Sequence, residues 1–155
     1  MSRELKANNK KNNNMKQEML VVANTAKMIA SDFKDASVNF NKESLKIYSN
    51  GIKEVITAVE GNAELSDIIK KQLNTVVQVL QDDSKEVNQE DRNLYARILE
   101  IAATFIVNVE PRNIKASKSD YKELISTTNV EELIEGNFNK LVKLDSGEIV
   151  IFNVA

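Results

Sequence analysis

The sequence predicts a mainly α protein: a helical bundle of four main helices, then one or two short helices and a C-terminal β-hairpin. Three observations carry this. Glycine and proline are scarce, four and one in 155 residues, so few turns are written into the chain and long helices are favoured. Apolar residues recur at three- and four-residue spacing through most of the chain before Pro111. Residues 138–155 differ, with β-branched and aromatic positions on both sides of Asp145, Ser146 and Gly147.

Residues 1–14 hold five Asn and several Lys, too polar to offset the entropy of ordering, and a disordered tail is expected there. The single helical domain then covers 15–155. Its first helix places Met15, Met19, Val22, Ala26, Ile29 and Phe33 at 4-3-4-3-4 spacing. All six share one face in an a/d pattern, and Val21 and Met28 widen it. The second helix starts near Asn41 or Lys42, with Leu45, Tyr48, Ile52, Val55 and Val59 inward. Gly51 lies inside it, as a close approach or a kink, and Gly61 with Asn62 provides a stop. The third covers 64–81, with Leu65, Ile69, Leu73, Val76 or Val77, and Leu80 inward and Ser66 or Asn62 as its cap.

A charged connector leads to a helix start at Asn88 and Asp91, where acids suit the positive end of the dipole. The fourth helix is the most apolar and reads as central, with Leu94, Ile98, Ile101, Phe105 and Val109 as its face. Pro111 ends it. A short helix is expected over 115–128, with Tyr121, Leu124 and Ile125 inward. Asn129 to Glu132 has capping-box spacing, which opens a helix of one or two turns closed by Gly136. The hairpin occupies about 138–154.

Composition excludes much chemistry. With no Cys, there are no disulfides, thiolate nucleophiles or zinc fingers. With no His, the commonest general base and transition-metal ligand are missing. Glycines at 51, 61, 136 and 147 cannot spell either common phosphate loop. The acids of 82–91 lack the alternation of an EF-hand, and Glu131, Glu132 and Glu135 read as helix-start residues. No catalytic, cofactor or metal residues are assigned.

A net charge of −2 and 5% aromatic content disfavour nucleic acid, despite Arg112, Lys115, Lys118 and Lys122 after Pro111. No apolar run reaches bilayer length, and the polar N-terminus is not a secretory signal, so the cytoplasm is expected and no membrane partner. Asn and Lys richness suggests a bacterial or phage source. The expected function is a non-catalytic protein-interaction module, an adaptor, neutralising or inhibitor protein. Its partner is another protein or a second copy. The candidate contact residues are Met19, Val22, Ile29 and Phe33 on the first helix and Ile149, Val150, Ile151 and Phe152 in the hairpin. The alternative is a small-molecule sensor with Tyr48, Tyr95 and Tyr121 as polar handles.

Overall fold

A computed structural model describes residues 2–107 and 111–155, with the side chains of residues 1–16 outside the description. Residues 2–14, where a tail is expected, are backbone of α1, while Val109 and the side chain of Met15 lie outside the description. The elements are α1 (Ser2–Lys34), α2 (Lys42–Ala58), α3 (Ala63–Gln81), α4 (Gln89–Val107), β1 (Arg112–Ala116), α5 (Lys118–Thr127), β2 (Glu131–Glu135), β3 (Asn139–Lys143) and β4 (Ile149–Val154). Four main helices and a C-terminal strand region match the predicted class. No helix among the described residues is long and apolar enough to cross a membrane. The chain divides into two compact units, residues 1–59 with 73–107 and residues 60–72 with 108–155.

In the first unit, α1 and α4 share the most extensive contact. Both bury small residues: Ala23, Ala26 and Ala30 on α1, and Ala96, Ala102 and Ala103 on α4. Small side chains let helices approach toward the short end of the roughly 8–10 Å range. Ile29, Phe33, Leu99, Phe105 and Ile106 supply the bulk. The expected face of α4 is corrected here. Leu94 is exposed, and the stripe that faces inward is Arg92, Ala96, Leu99, Ala103 and Ile106. That stripe is spaced 4-3-4-3 and the expected one 4-3-4-4, so two helical faces of α4 competed, and the alanines won because they permit close packing against α1.

Gly51 is a close approach. A Cβ there would lie 2.9 Å from Ile29 Cδ1 and 3.8 Å from Thr25 Cγ2. The helix starts are capped by side chains. Asn41 forms a reciprocal capping box with Ser44. Asn62, rather than the buried Ser66, accepts from Leu65 N at 3.2 Å. Asn88 accepts from Asp91 N at 2.8 Å while Asp91 accepts from Asn88 N.

The C-terminus of α1 is capped by α4. Arg92 donates from Nη2 to Asp32 O at 3.1 Å and Asp35 O at 2.7 Å. Gln89 donates to Phe33 O at 3.1 Å. The guanidinium carbon lies 4.3 Å from the centroid of the Phe40 ring. Phe40 joins Phe33 and Tyr48 in an aromatic cluster with centroids 5.2–5.5 Å apart. The Tyr48 hydroxyl donates to Asp32 at 2.6 Å; that bond, and burial after it, push the Tyr48 pKa up to about 12.

The second unit is a four-stranded sheet of order β1-β4-β3-β2. The expected hairpin is its centre. β3 and β4 pair antiparallel, with Val142 opposite Val150 and Leu141 opposite Ile151. Gly147 closes the turn at φ 90° and donates to Leu144 O. Val150, Phe152, Val154 and Val142 form one core with Tyr121 of α5. Leu141 and Ile151 are buried on the other face.

Two expectations are corrected. Residues 112–116 are a strand parallel to β4, so α5 starts at Lys118 rather than Lys115, capped by Ser117 accepting from Asp120 N. Glu131–Glu135 is strand β2, not a helix. A helix of one or two turns is marginal alone, whereas the free side of β3 offers a ladder to pair with. A register shift between Glu132 and Ile134 lets Val130 face α5 while Ile134 pairs with Leu141 on the opposite face.

Arg92→Ala removes a buried charge together with two bonds to the end of α1. Urea unfolding of the full chain is expected to show a loss of about 2–4 kcal/mol. A loss below about 0.5 kcal/mol would show that water caps the helix equally well.

Candidate functional site

Hydrophobic burial decides which candidate residues remain available. Ile29 and Phe33 are fully inside the first unit, and Met19 and Val22 are half-buried. The predicted stripe therefore serves the chain's own core. In the hairpin, Val150, Ile151 and Phe152 are buried and Ile149 half-buried. Both outer sides of the hairpin are already paired, β4 by β1 and β3 by β2. Strand addition at the hairpin edge is thus ruled out by the two strands absent from the sequence reading.

The exposed apolar side chains lie elsewhere. Val21, Met28 and Ile47 are 64%, 57% and 70% exposed. Val21 and Met28 are one heptad apart on α1. α2 runs antiparallel beside this face, since Tyr48 reaches Asp32 and Gly51 meets Ile29 and Thr25. Thr25 is one turn from both Val21 and Met28, and Gly51 is one turn from Ile47. The three side chains therefore border one seam whose floor is Gly51 and Thr25. The signal was visible for Val21 and Met28, which widen the apolar stripe of the first helix beyond what one seam needs.

The sheet unit holds a cleft of about 640 Å³ lined by residues including Lys115, Ser117, Asp120, Phe138, Asn139 and Asn153. It lies at the carboxyl ends of the parallel pair β1 and β4, where α5 begins. Beside it, Glu64 in the first turn of α3 is gripped by the β2–β3 turn. Its carboxylate accepts from the backbone N–H of Asn137, of Phe138 at 3.1 Å and of Asn139 at 2.9 Å, and from Asn139 Nδ2 at 2.6 Å. Gly136 makes room, because a Cβ there would lie 2.8 Å from Glu64 Cδ. Desolvation pushes the Glu64 carboxyl up, but the bonds from Phe138, Asn139 and Asn137 outweigh it and hold it below the ordinary 4.5.

A second polar cluster bridges α5 and the sheet. Tyr121 donates to Glu132, and Lys140 donates to Gly136 O and lies 3.6 Å from Glu135. Burial, then the bond to Glu132, raise the Tyr121 pKa. The handles proposed for a sensor are thus partly committed, as the hydroxyls of Tyr48 and Tyr121 both have internal acceptors. Ser117 is the N-cap of α5, and Asp82 accepts from Ser84 in a local turn. These roles are structural. Comparison with protein-family models, curated proteins and solved structures finds no match.

Because folding lowers its pKa, Glu64 contributes stability that is complete above its ordinary value and is lost as pH falls through the lowered one. Glu64→Gln is expected to lower stability at pH 7 by about 1–2 kcal/mol. The two proteins should converge in thermal stability below pH 4.5. A constant gap down to pH 2 would show that the charge is irrelevant to the clamp.

Proposed function

We propose that the chain is a non-catalytic protein-interaction module that acts in the cytoplasm through the α1–α2 seam. The observation that carries the reading is the exposure of Val21, Met28 and Ile47 on the borders of the α1–α2 seam. Isolated surface apolar residues are ordinary, but a contiguous group is a contact site more often than an accident. Their neighbours favour the same reading. Gly51 lets α2 lie close against Ile29 and Thr25 of α1, so the borders of the two helices form one surface. Docking of an amphipathic helix along the seam is the mode that fits two antiparallel helices with apolar borders.

The test is a variant with Val21→Glu, Met28→Glu and Ile47→Lys. Helical circular dichroism should be unchanged, because all three side chains are exposed. Capture of the partner, or self-association, should fall by roughly tenfold or more. Undiminished association in the triple variant would reject the seam as the contact.

A second reading is favoured by the cleft at Lys115, Phe138 and Asn153, whose size suits a small molecule. A metabolite that occupies it should raise the melting temperature in proportion to the logarithm of its concentration. Asn153→Leu should abolish that shift. A shift retained in Asn153→Leu places the ligand elsewhere.

A further inference from the structure

We propose that the α1–α2 seam takes a basic amphipathic helix, with apolar anchors on Val21, Met28 and Ile47 and cations over Glu18, Glu43 and Glu54. This rests on the seam as the contact surface and adds the chemistry of the partner. Glu18 precedes Val21 by three residues and Thr25 by seven, so it lies on the side of α1 where Thr25 approaches Gly51 of α2. On α2, Glu43 is one turn before Ile47, and Glu54 is three residues past Gly51 and seven past Ile47. All three carboxylates are exposed. Apolar and acidic side chains therefore share one surface along about 15 Å of each helix.

No base shares that surface. Positions 18, 21, 25, 28 and 32 of α1 and 43, 47, 51, 54 and 58 of α2 include neither Lys nor Arg. The nearest bases, Lys27, Lys46 and Lys53, each precede a seam residue by one, a turn of about 100° around the helix. Lys27 lines a cleft with Glu100 and Thr104 of α4. Lys46 pairs with Asp83, just past the end of α3, at 3.3 Å, and Lys53, one heptad on, shares that side of α2.

The seam acids differ from the charged groups around them in having no partner. Lys34 is held by Glu100, Lys42 by two backbone carbonyls, Asp82 by Ser84 and Asp32 by Tyr48. Among the described residues, the side chains of Glu18, Glu43 and Glu54 accept no hydrogen bond and form no ion pair. Local structure accounts for Glu43, which suits the positive end of the α2 dipole. It does not account for Glu18, far inside α1, or for Glu54, toward the negative end of α2. Unmatched acids around an apolar centre have the form of an interface with its rim charge unpaired. A second copy brings the same acids to the same seam and is repelled. A helix with apolar residues on one face and Lys or Arg on its flanks meets both the centre and the rim.

Three labelled peptides of about 18 residues serve as probes in fluorescence anisotropy with the full chain. One is an amphipathic Leu/Lys helix, one its Leu/Glu counterpart, and one a scrambled Leu/Lys peptide with no apolar face. The Leu/Lys helix should bind roughly tenfold or more tighter than either of the others, and salt should weaken it. Glu18→Lys with Glu54→Lys should turn the preference toward the Leu/Glu helix. Glu60→Lys with Glu123→Lys makes the same change of net charge on exposed acids that belong to neither α1 nor α2, and should leave the preference for Leu/Lys in place.

Equal binding of the Leu/Lys and Leu/Glu helices overturns the proposal, as does a preference that survives Glu18→Lys with Glu54→Lys. Absence of Leu/Lys binding at millimolar concentration overturns it too. The uncharged variant Val21→Gln, Met28→Gln and Ile47→Gln tests the seam separately. It should lose the Leu/Lys helix, and undiminished binding there rejects the seam itself as the contact.

Discussion

The buried guanidinium of Arg92 is the constraint on which the helical unit depends. A cation that far from water is costly unless its charge and its donors are met. Here Nη2 is met by the carbonyls of Asp32 and Asp35 at the negative end of the α1 dipole and the charge by the face of Phe40, while Nε is buried without an acceptor among the described residues. The arrangement serves both sides. Orphan carbonyls at a helix end need donors, and the arginine needs acceptors. Because Arg92 is in the first turn of α4, satisfying it sets the axial register of α4 against α1. Gln89, one turn earlier, reinforces that register on Phe33 O.

Once that register is set, the small residues follow from it. Ala23, Ala26 and Ala30 meet a helix whose inward row is Ala96, Leu99 and Ala103, and the two backbones close together. α2 then approaches α1 closely where it carries Gly51. Larger side chains at these sites force the helices apart and draw Arg92 off the carbonyls it caps. The helix-end caps by Asn41, Asn62 and Asn88 are local and independent of one another. The α1–α4 seam is collective, so damage to it is felt along its length.

Much of this was legible from periodicity and punctuation. Ile29, Phe33, Leu65, Ile69, Leu73 and Leu80 are buried as their spacing requires, and Asp145, Ser146 and Gly147 form the expected turn. The errors have common physical causes. On α4 two stripes are periodic, and hydropathy favours the greasier one, because it does not register that alanine permits close approach or that an arginine caps another helix. At Glu131–Glu135 a local capping signature was overridden by an open strand edge, a partner known only from tertiary structure. β1 is short, polar and edge-placed, so neither alternation nor apolar content marked it. The same three gaps affected the candidate sites. Ile29, Phe33 and Val150 attracted notice for being apolar, and apolar residues in good register are the ones a core consumes.

What is left for other molecules is therefore the remainder after the core is built. Fully buried hydrophobics are spent on folding, and Val150 is held between two strands. The remainder consists of side chains the core does not consume: Val21, Met28 and Ile47 beside the α1–α2 seam, and the polar lining of the cleft where β1, β4 and α5 meet. Charged groups of the sheet are largely committed within it, Arg112 to Glu148, Glu132 to Tyr121 and Glu135 beside Lys140. An exposed apolar side chain has no such internal bond. Covering it with another molecule breaks nothing already made, whereas a charged edge must first give up its own pair.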